Sequence, residues 1–281
     1  MARKKRKIVE PEIPVNEPKS KTPYRDEFQK NVSAQVEELG KKLEGKGRTI
    51  TYALAAVAVL LILIGIYTVW DRRTSNAAQA ALGRAIETSQ ALVTSSPLPA
   101  GSTQKTFKTE RERAEAAIAE FQTVVDNYGD PYGKKAKYFI AVNKLSIDRA
   151  AAVSELEALA GSGDEVGKLA KFALAQAKAS EGKFDEAAAL YGELAAMDDP
   201  VVSKDTVNFE LAQIYQKQGK TQEAQDLYYQ IAKTASEAKD ADGKAIPMTQ
   251  TAREAKSKLE ELNPERAKEI QEPAPESPFG L

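Results

Sequence analysis

An uncharged apolar run from Ile50 to Trp70 constrains this chain more than any other feature. At about 1.5 Å per residue, a helix over this run would reach roughly 31 Å, the thickness of a bilayer's hydrocarbon core. Tyr52, Tyr67 and Trp70 lie near its two ends, where amphipathic rings prefer the headgroup region. A buried core helix is the alternative, but no second segment is apolar enough to surround it. The run therefore predicts one transmembrane helix over residues 50–70.

Basic residues are concentrated on the N-terminal side of the predicted span. A cluster fills residues 3–7, and more basic side chains precede the span than follow it: Lys30, Lys41, Lys42, Lys46 and Arg48 before, Arg72, Arg73 and Arg84 after. The positive-inside rule then places the N-terminus in the cytoplasm and residues 71–281 on the other side. The Ala-Gln-Ala tripeptide at 78–80 lies too far beyond the run for signal cleavage, so we predict an uncleaved signal anchor.

Composition removes most catalytic chemistry. The chain has no Cys and no His, which excludes Ser-His-Asp triads, Cys nucleophiles, zinc sites of the Cys/His type and disulfides. Residues 71–281 carry more acidic than basic side chains, which argues against nucleic acid as a partner. We therefore expect a protein that is not an enzyme, with no cofactor and no metal site.

The segment before the span has two parts. Residues 1–23 are basic and proline-rich, a composition typical of disorder. Residues 24–49 predict an amphipathic helix, because apolar side chains recur along one stripe at Phe28, Val32, Val36, Leu39 and Leu43. This juxtamembrane helix is interpreted either as lying on the inner leaflet or as docking a cytoplasmic or membrane partner.

The sequence of residues 71–262 reads as amphipathic helices and repeats itself. Residues 168–195 and 205–232 match at a spacing of 37 at Phe172/Phe209, Leu174-Ala175/Leu211-Ala212, Gly182/Gly219, Glu186-Ala187/Glu223-Ala224 and Tyr191/Tyr228. The pattern resembles the tetratricopeptide repeat, in which Ala allows close helix crossing, Gly ends the first helix in a left-handed cap and an aromatic ring fills the space between hairpins. The first segment has Lys178 where the mid-helix Tyr of that pattern belongs.

Degenerate copies extend the array toward the N-terminus, and a last helix follows it. The segment 137–141 matches 171–175 at a spacing of 34, and 147–153 matches 184–190 at 37, so this copy has an inter-helix turn three residues short and without Gly. A further hairpin is predicted over 75–94 and 110–128 and a last helix over 249–262, with a flexible tail over 263–281. The predicted fold class is all-α: a single N-terminal transmembrane helix followed by a tetratricopeptide-like helical solenoid over residues 71–262.

Three segments indicate a resemblance to a family more specific than the tetratricopeptide repeat. They are EELGKKLEGKG at 37–47, GIYTVW with DRRTSNAAQAAL at 65–82, and F-x-x-V-V-x-x-Y at 121–128. In this order they resemble the ancillary SecYEG translocon subunit family (YfgM-like), bacterial single-span proteins with a periplasmic tetratricopeptide-like domain. The resemblance implies an inner-membrane protein with residues 71–262 in the periplasm. It also implies Sec translocon subunits and unfolded or emerging polypeptides as partners. The longer, basic, proline-rich N-terminal arm departs from the family.

One set of side chains forms a candidate peptide-binding groove. In tetratricopeptide arrays the fifth position of each repeat faces the concave groove, and amides on the same face can pair with an extended backbone while rings hold its side chains. The alternative is that the rings simply pack between neighbouring hairpins. The candidate residues are Tyr138, Phe172 and Phe209 at the fifth position, with Gln176, Gln213 and Gln216 on the same face.

Two functions remain open from the sequence. The first is a membrane-anchored protein-protein interaction scaffold, ancillary to the Sec translocon, that binds polypeptides in the periplasm like a chaperone. The second is an envelope scaffold for cell-wall or outer-membrane assembly. The identity of the protein partner separates them, and no motif in the sequence encodes it.

Overall fold

The computed structural model describes residues 47–96 and 104–271, with side chains from residue 56 onward. The chain divides into two units, Met1–Val69 and Trp70–Leu281. The predicted arm over 1–23 lies outside the described residues. So do the predicted juxtamembrane helix as far as residue 46 and the last ten residues of the predicted tail.

Most of the described residues are helical, which confirms the all-α prediction. Ten helices and two short strands follow one another within these ranges: α1 (Gly47–Ser89), β1 (Leu92–Val93), β2 (Thr106–Phe107), α2 (Glu110–Asn127), α3 (Tyr132–Lys144), α4 (Arg149–Ala160), α5 (Glu165–Ser180), α6 (Phe184–Ala195), α7 (Lys204–Lys217), α8 (Thr221–Ser236), α9 (Gln250–Leu262) and α10 (Pro264–Ala267).

Helix α1 contains the apolar run. The large apolar side chains of residues 57–70 in this helix are between 50% and 64% exposed. No helix in the described part of the chain is both long and apolar enough to cross a membrane. Residues 50–55 of the predicted span have no described side chains, and the span over 50–70 stays a prediction.

Helices α2 to α9 stack as antiparallel hairpins in chain order. Each helix packs on the next one, α3 also contacts α5, and α7 also contacts α9. The buried apolar side chains form four neighbouring clusters that follow the same order, the first of which also includes Ala81, Leu82 and Ala85 of α1. Because each hairpin buries its apolar face on its neighbours, the described residues between 70 and 271 form a helical-hairpin solenoid.

The turns inside the two C-terminal hairpins are closed by glycine, as the repeat pattern predicts. Gly182 and Gly219 have φ values of 76° and 75°, a left-handed conformation that L side chains rarely adopt. In the first turn Gly182 N donates to Ala179 O (3.1 Å) and Lys183 N donates to Lys178 O (3.0 Å). The same two bonds recur around Gly219, so each of these helices ends in a Schellman motif.

The turn between α3 and α4 is built differently. Ile147 N and Asp148 N both donate to Lys144 O, at 2.9 and 2.8 Å, and the Asp148 side chain accepts a hydrogen bond from Ala151 N at 3.1 Å. Helix α3 has 13 residues, whereas its counterpart α5 has 16. This copy is therefore shorter because its helix α3 is shorter. The turn between α3 and α4 is still formed, but without glycine.

Two short strands join the ends of the loop between α1 and α2. Leu92 pairs with Thr106 and Val93 with Phe107 in parallel, and Thr94 N donates to Phe107 O at 2.9 Å. The sequence reads as helix and loop here because a two-residue strand is too short to show alternation.

The packed domain continues beyond residue 262, where its end was predicted. The Asn263 side chain accepts a hydrogen bond from Arg266 N at 3.2 Å and Pro264 occupies the first turn, which starts α10. Ala267 and Ile270 are then buried against the last core cluster. The Asn-Pro pair therefore begins a short helix that covers the end of the solenoid.

Candidate functional site

The three aromatic residues of the predicted groove lie in equivalent places on α3, α5 and α7 but differ in exposure. Tyr138 and Phe172 are half-buried, whereas Phe209 is only 8% exposed and belongs to the last core cluster. The Phe172 ring contacts Tyr191 edge-on, with centroids 5.7 Å apart, and Phe209 contacts Tyr228 at 5.5 Å in the same way. Both phenylalanines therefore pack inside their own hairpins.

The three amides of the predicted groove also differ. Gln176 is exposed and Gln213 is half-buried. Gln216 accepts a hydrogen bond from the Tyr228 hydroxyl at 2.7 Å, so its oxygen is already used inside the hairpin. Tyr138, Phe172, Gln176 and Gln213 are thus the predicted groove residues that keep surface available to a partner.

Sequence reasoning missed one apolar neighbour on this face. Leu169 is half-buried and lies three residues before Phe172 on α5, and Gln176 follows four residues after the ring. Side chains at these spacings share one side of a helix. The three-residue spacing was the signal that could have identified Leu169. We call Leu169, Phe172 and Gln176 the α5 stripe.

A partly buried carboxylate lies between the two C-terminal hairpins. Burial raises the pKa of Glu210 on α7, and Lys217 offsets this only in part. Burial, followed by the charge of Glu210, raises the pKa of Tyr191 and of Tyr228. The Tyr191 hydroxyl is buried and has no hydrogen-bond partner among the described residues. Polar groups at this contact between hairpins are therefore incompletely satisfied.

Lys178 departs from the repeat pattern, and the structure shows what it does. Its Nζ atom is 2.9 Å from Glu157 on α4 and 2.9 Å from Glu186 on α6, and its side chain is only 11% exposed. Hydrogen bonds from Lys178 to both carboxylates raise the pKa of this lysine above its ordinary value. We call this arrangement the Lys178 clasp, since it links three helices where Tyr215 stands in the following repeat.

A polar pocket of about 600 Å³ lies beside the end of α1. The Thr88 hydroxyl donates to Glu120 at 2.8 Å, and Lys105 Nζ donates to Thr88 at 2.9 Å and to Glu120 at 2.7 Å. Burial alone would raise the pKa of Glu120, but hydrogen bonds from Lys105 and Thr88 outweigh it and lower that pKa. Thr88, Lys105 and Glu120 therefore satisfy one another's hydrogen-bonding groups. Their bonds connect the residue before β2 to α1 and α2.

Carboxylates in the described residues do not gather into a metal site. No group of three or more Asp or Glu side chains in this part of the chain lies close enough together to hold a metal ion. Asp240, in the loop before α9, instead accepts backbone hydrogen bonds from Asp242 N (3.0 Å) and Lys244 N (2.9 Å) through its Oδ1 atom. The Asp240 side chain therefore stabilises that loop.

Comparison with known proteins gives two solved structures. No family profile and no curated protein sequence matches the chain. A putative kinesin light chain of Podosopora anserina with nearly identical TPR-like repeats is similar at 17% identity and a TM-score of 0.48, over 68% of this chain and 90% of that one. A form of the same protein with a single Gln-to-Met substitution is similar at 16% identity with the same coverage and TM-score. The resemblance to the translocon subunit family rests on the sequence motifs alone.

Proposed function

We propose that this protein is a membrane-anchored protein-protein interaction scaffold. In this proposal it is an ancillary subunit of the Sec translocon in a bacterial inner membrane, with its N-terminus in the cytoplasm. Its solenoid lies in the periplasm and binds unfolded or emerging polypeptides as a chaperone does. We expect no catalytic activity, because stacked helical repeats offer extended binding surfaces.

The observation that carries the scaffold is the α5 stripe. It places a half-buried Leu169, a half-buried Phe172 and an exposed Gln176 along one side of a helix whose opposite side is packed in the core. Apolar side chains followed by an exposed amide can hold one side chain and one backbone group of an extended chain. Tyr138 and Gln213 on the adjacent odd-numbered helices offer the same chemistry.

The exposed apolar side chains of α1 support the membrane anchor. Residues 57–70 make several helical turns, so their large apolar side chains occur on every side of the helix. A helix that is apolar all round must be covered by lipid or by protein. The uncharged run of 21 residues is long enough for lipid, and the basic residues before it favour the cytoplasm for the N-terminus.

Site-specific crosslinking tests the scaffold and its partner together. A photoactivatable amino acid replaces Gln176 in cells, and the matched control replaces Gln230, an exposed glutamine on α8. We expect adducts with translocon subunits or with newly translocated polypeptides at position 176 and few at 230. Equal adducts at both positions would contradict the assigned surface. Adducts at 176 with cell-wall synthases or outer-membrane assembly proteins would replace the translocon with the envelope alternative.

Protease accessibility tests the orientation separately. In cells with a permeabilised outer membrane, added protease should digest residues 71–281 and leave the N-terminal arm intact. Protection of the large domain and loss of the arm would reverse the proposed orientation.

A further inference from the structure

A second groove opens on another side of α3, between α2 and α4. It encloses about 360 Å³. Its apolar lining comes from Val125 on α2, Ile140 on α3, and Ala158 and Leu159 on α4. The last helix of one hairpin and both helices of the next therefore form its walls. Tyr138 is not part of the lining, and this groove is therefore separate from the surface that includes the α5 stripe.

Two lysines of α3 border the groove, and they differ in their partners. Lys144 Nζ lies 2.5 Å from Glu155 on α4. Lys137 lies seven residues, or about two turns, earlier on the same helix, is exposed, and forms an ion pair with no residue in the described ranges. The groove thus has an apolar floor with a free positive charge at one end.

In the next hairpin, the lysines at the equivalent positions form ion pairs with carboxylates. By the 34-residue spacing of the first helices, Lys171 and Lys178 of α5 are the counterparts of Lys137 and Lys144. Lys171 Nζ lies 2.5 Å from Glu193 on α6, and Lys178 forms the Lys178 clasp. Both lysines at this place on α5 are therefore neutralised by carboxylates of flanking helices.

A single exchange in the sequence explains why Lys137 has no such carboxylate. Helices α4 and α6 begin 35 residues apart, at Arg149 and Phe184, and in this register the counterpart of Glu193 is Ala158. Ala158 is exposed and lines the groove. The hairpin α3/α4 therefore has a methyl group where α6 carries a surface acid, and the position that the acid fills on α6 is left open.

We infer that the groove between α2 and α4 binds a polypeptide segment in which an apolar side chain stands next to a carboxylate. The apolar side chain occupies the floor formed by Val125, Ile140 and Leu159. The carboxylate pairs with Lys137, as Glu193 pairs with Lys171 in the next hairpin. Charge complementarity with Lys137 selects an acidic partner over a neutral or basic one.

The test uses three labelled short peptides and the full chain in a non-ionic detergent. Each peptide has a central Phe, flanked by Glu in the first, by Gln in the second and by Lys in the third. We expect the Glu peptide to bind about twofold to fivefold more tightly than the Gln peptide, as for a partly exposed ion pair, and the Lys peptide to bind most weakly. The measurement is fluorescence anisotropy at low salt.

Three variants locate the binding. Lys137→Glu should reverse the order of the Glu and Lys peptides, whereas Lys204→Glu, at an exposed lysine that begins α7, should leave the order unchanged. Ala158→Trp should fill the groove and remove binding of all three peptides while the helix signal in circular dichroism is retained. No binding of the Glu peptide, equal binding of the three peptides, or the same reversal in Lys204→Glu would each overturn the inference.

Discussion

The substitution Ala187→Asp tests the helix register of the solenoid most directly. Ala187 is fully buried in the first turns of α6, within a cluster that includes Tyr191, Leu194 and Val207. The pattern of the repeat places a small residue here because two helices cross, so a carboxylate at this position has neither room nor a cationic partner.

The expected loss of stability is judged against a matched control in the same helix. Ala189 lies two residues later and is exposed, so Ala189→Asp costs only helix propensity, at most about 0.7 kcal/mol. Ala187→Asp adds an unpaired charge in the core, for which roughly 3 kcal/mol or more is typical. For a domain of this size such a difference corresponds to a melting temperature lower by about 6–12 °C.

The assay is thermal unfolding of the fragment 71–281, followed by circular dichroism at neutral pH for both variants and the unmodified fragment. Ala187→Asp should melt well below Ala189→Asp, and part of the loss should be recovered at low pH, where the new carboxyl group is neutral. Coincident melting curves for Ala187→Asp and Ala189→Asp would refute the register, because they would place both side chains on the surface.

Three further results are expected. Phe209→Ala should destabilise the same fragment by roughly 3–5 kcal/mol, because the ring is buried. Phe172→Ala should destabilise it less and should weaken binding of an unfolded client peptide. Equal losses of stability in the two variants would contradict the difference in burial. Burial raises the pKa of Glu210 in the fold. Its contribution to stability is therefore fully present below its ordinary pKa and is lost as pH rises through the raised value. Glu210→Gln should therefore melt higher than the unmodified fragment at pH 7 and no higher at pH 4, and a lower melting temperature at pH 7 would exclude this explanation. Gly219→Ala should destabilise, since φ is 75° there, while Gly192→Ala within α6 has open space for the methyl group and should be neutral or stabilising, as two thermal melts would show.

Most of the solenoid could be predicted because its signals are local. Gly182 and Gly219 mark turns whose left-handed backbone only glycine adopts readily, and the matching Phe and Tyr pairs fix which helices form a hairpin. The β1/β2 pair could not be predicted, because two residues show no periodicity. The extension through Ile270 was hidden for another reason: an Asn-Pro pair is read equally well as the end of one helix and the start of the next.

The candidate site was predicted less well, since exposure depends on neighbours that the sequence does not reveal. Phe172 and Phe209 occupy the same repeat position, yet Phe209 is covered by the last helices and Phe172 is not. Lys178 reads as a defect in the repeat until Glu157 and Glu186 are seen beside it. Lys137 carries no signal of its own, because its significance comes from the absence of an acid at Ala158.

An aromatic ring of α3 packs on the preceding helix, whereas the rings of α5 and α7 pack on the helix that follows. Phe139 of α3 stacks on Phe121 of α2 with centroids 5.0 Å apart, whereas Phe172 and Phe209 each contact the helix that follows. The α3/α4 pair also lacks a glycine-closed turn. Among the amides of helices α2 to α9, those at the junction between α3 and α4 should therefore exchange with solvent hydrogen soonest. We expect the cooperative units of the array to be offset from its sequence repeats, with α2 and α3 opening as one part and α4 to α9 remaining folded as the other.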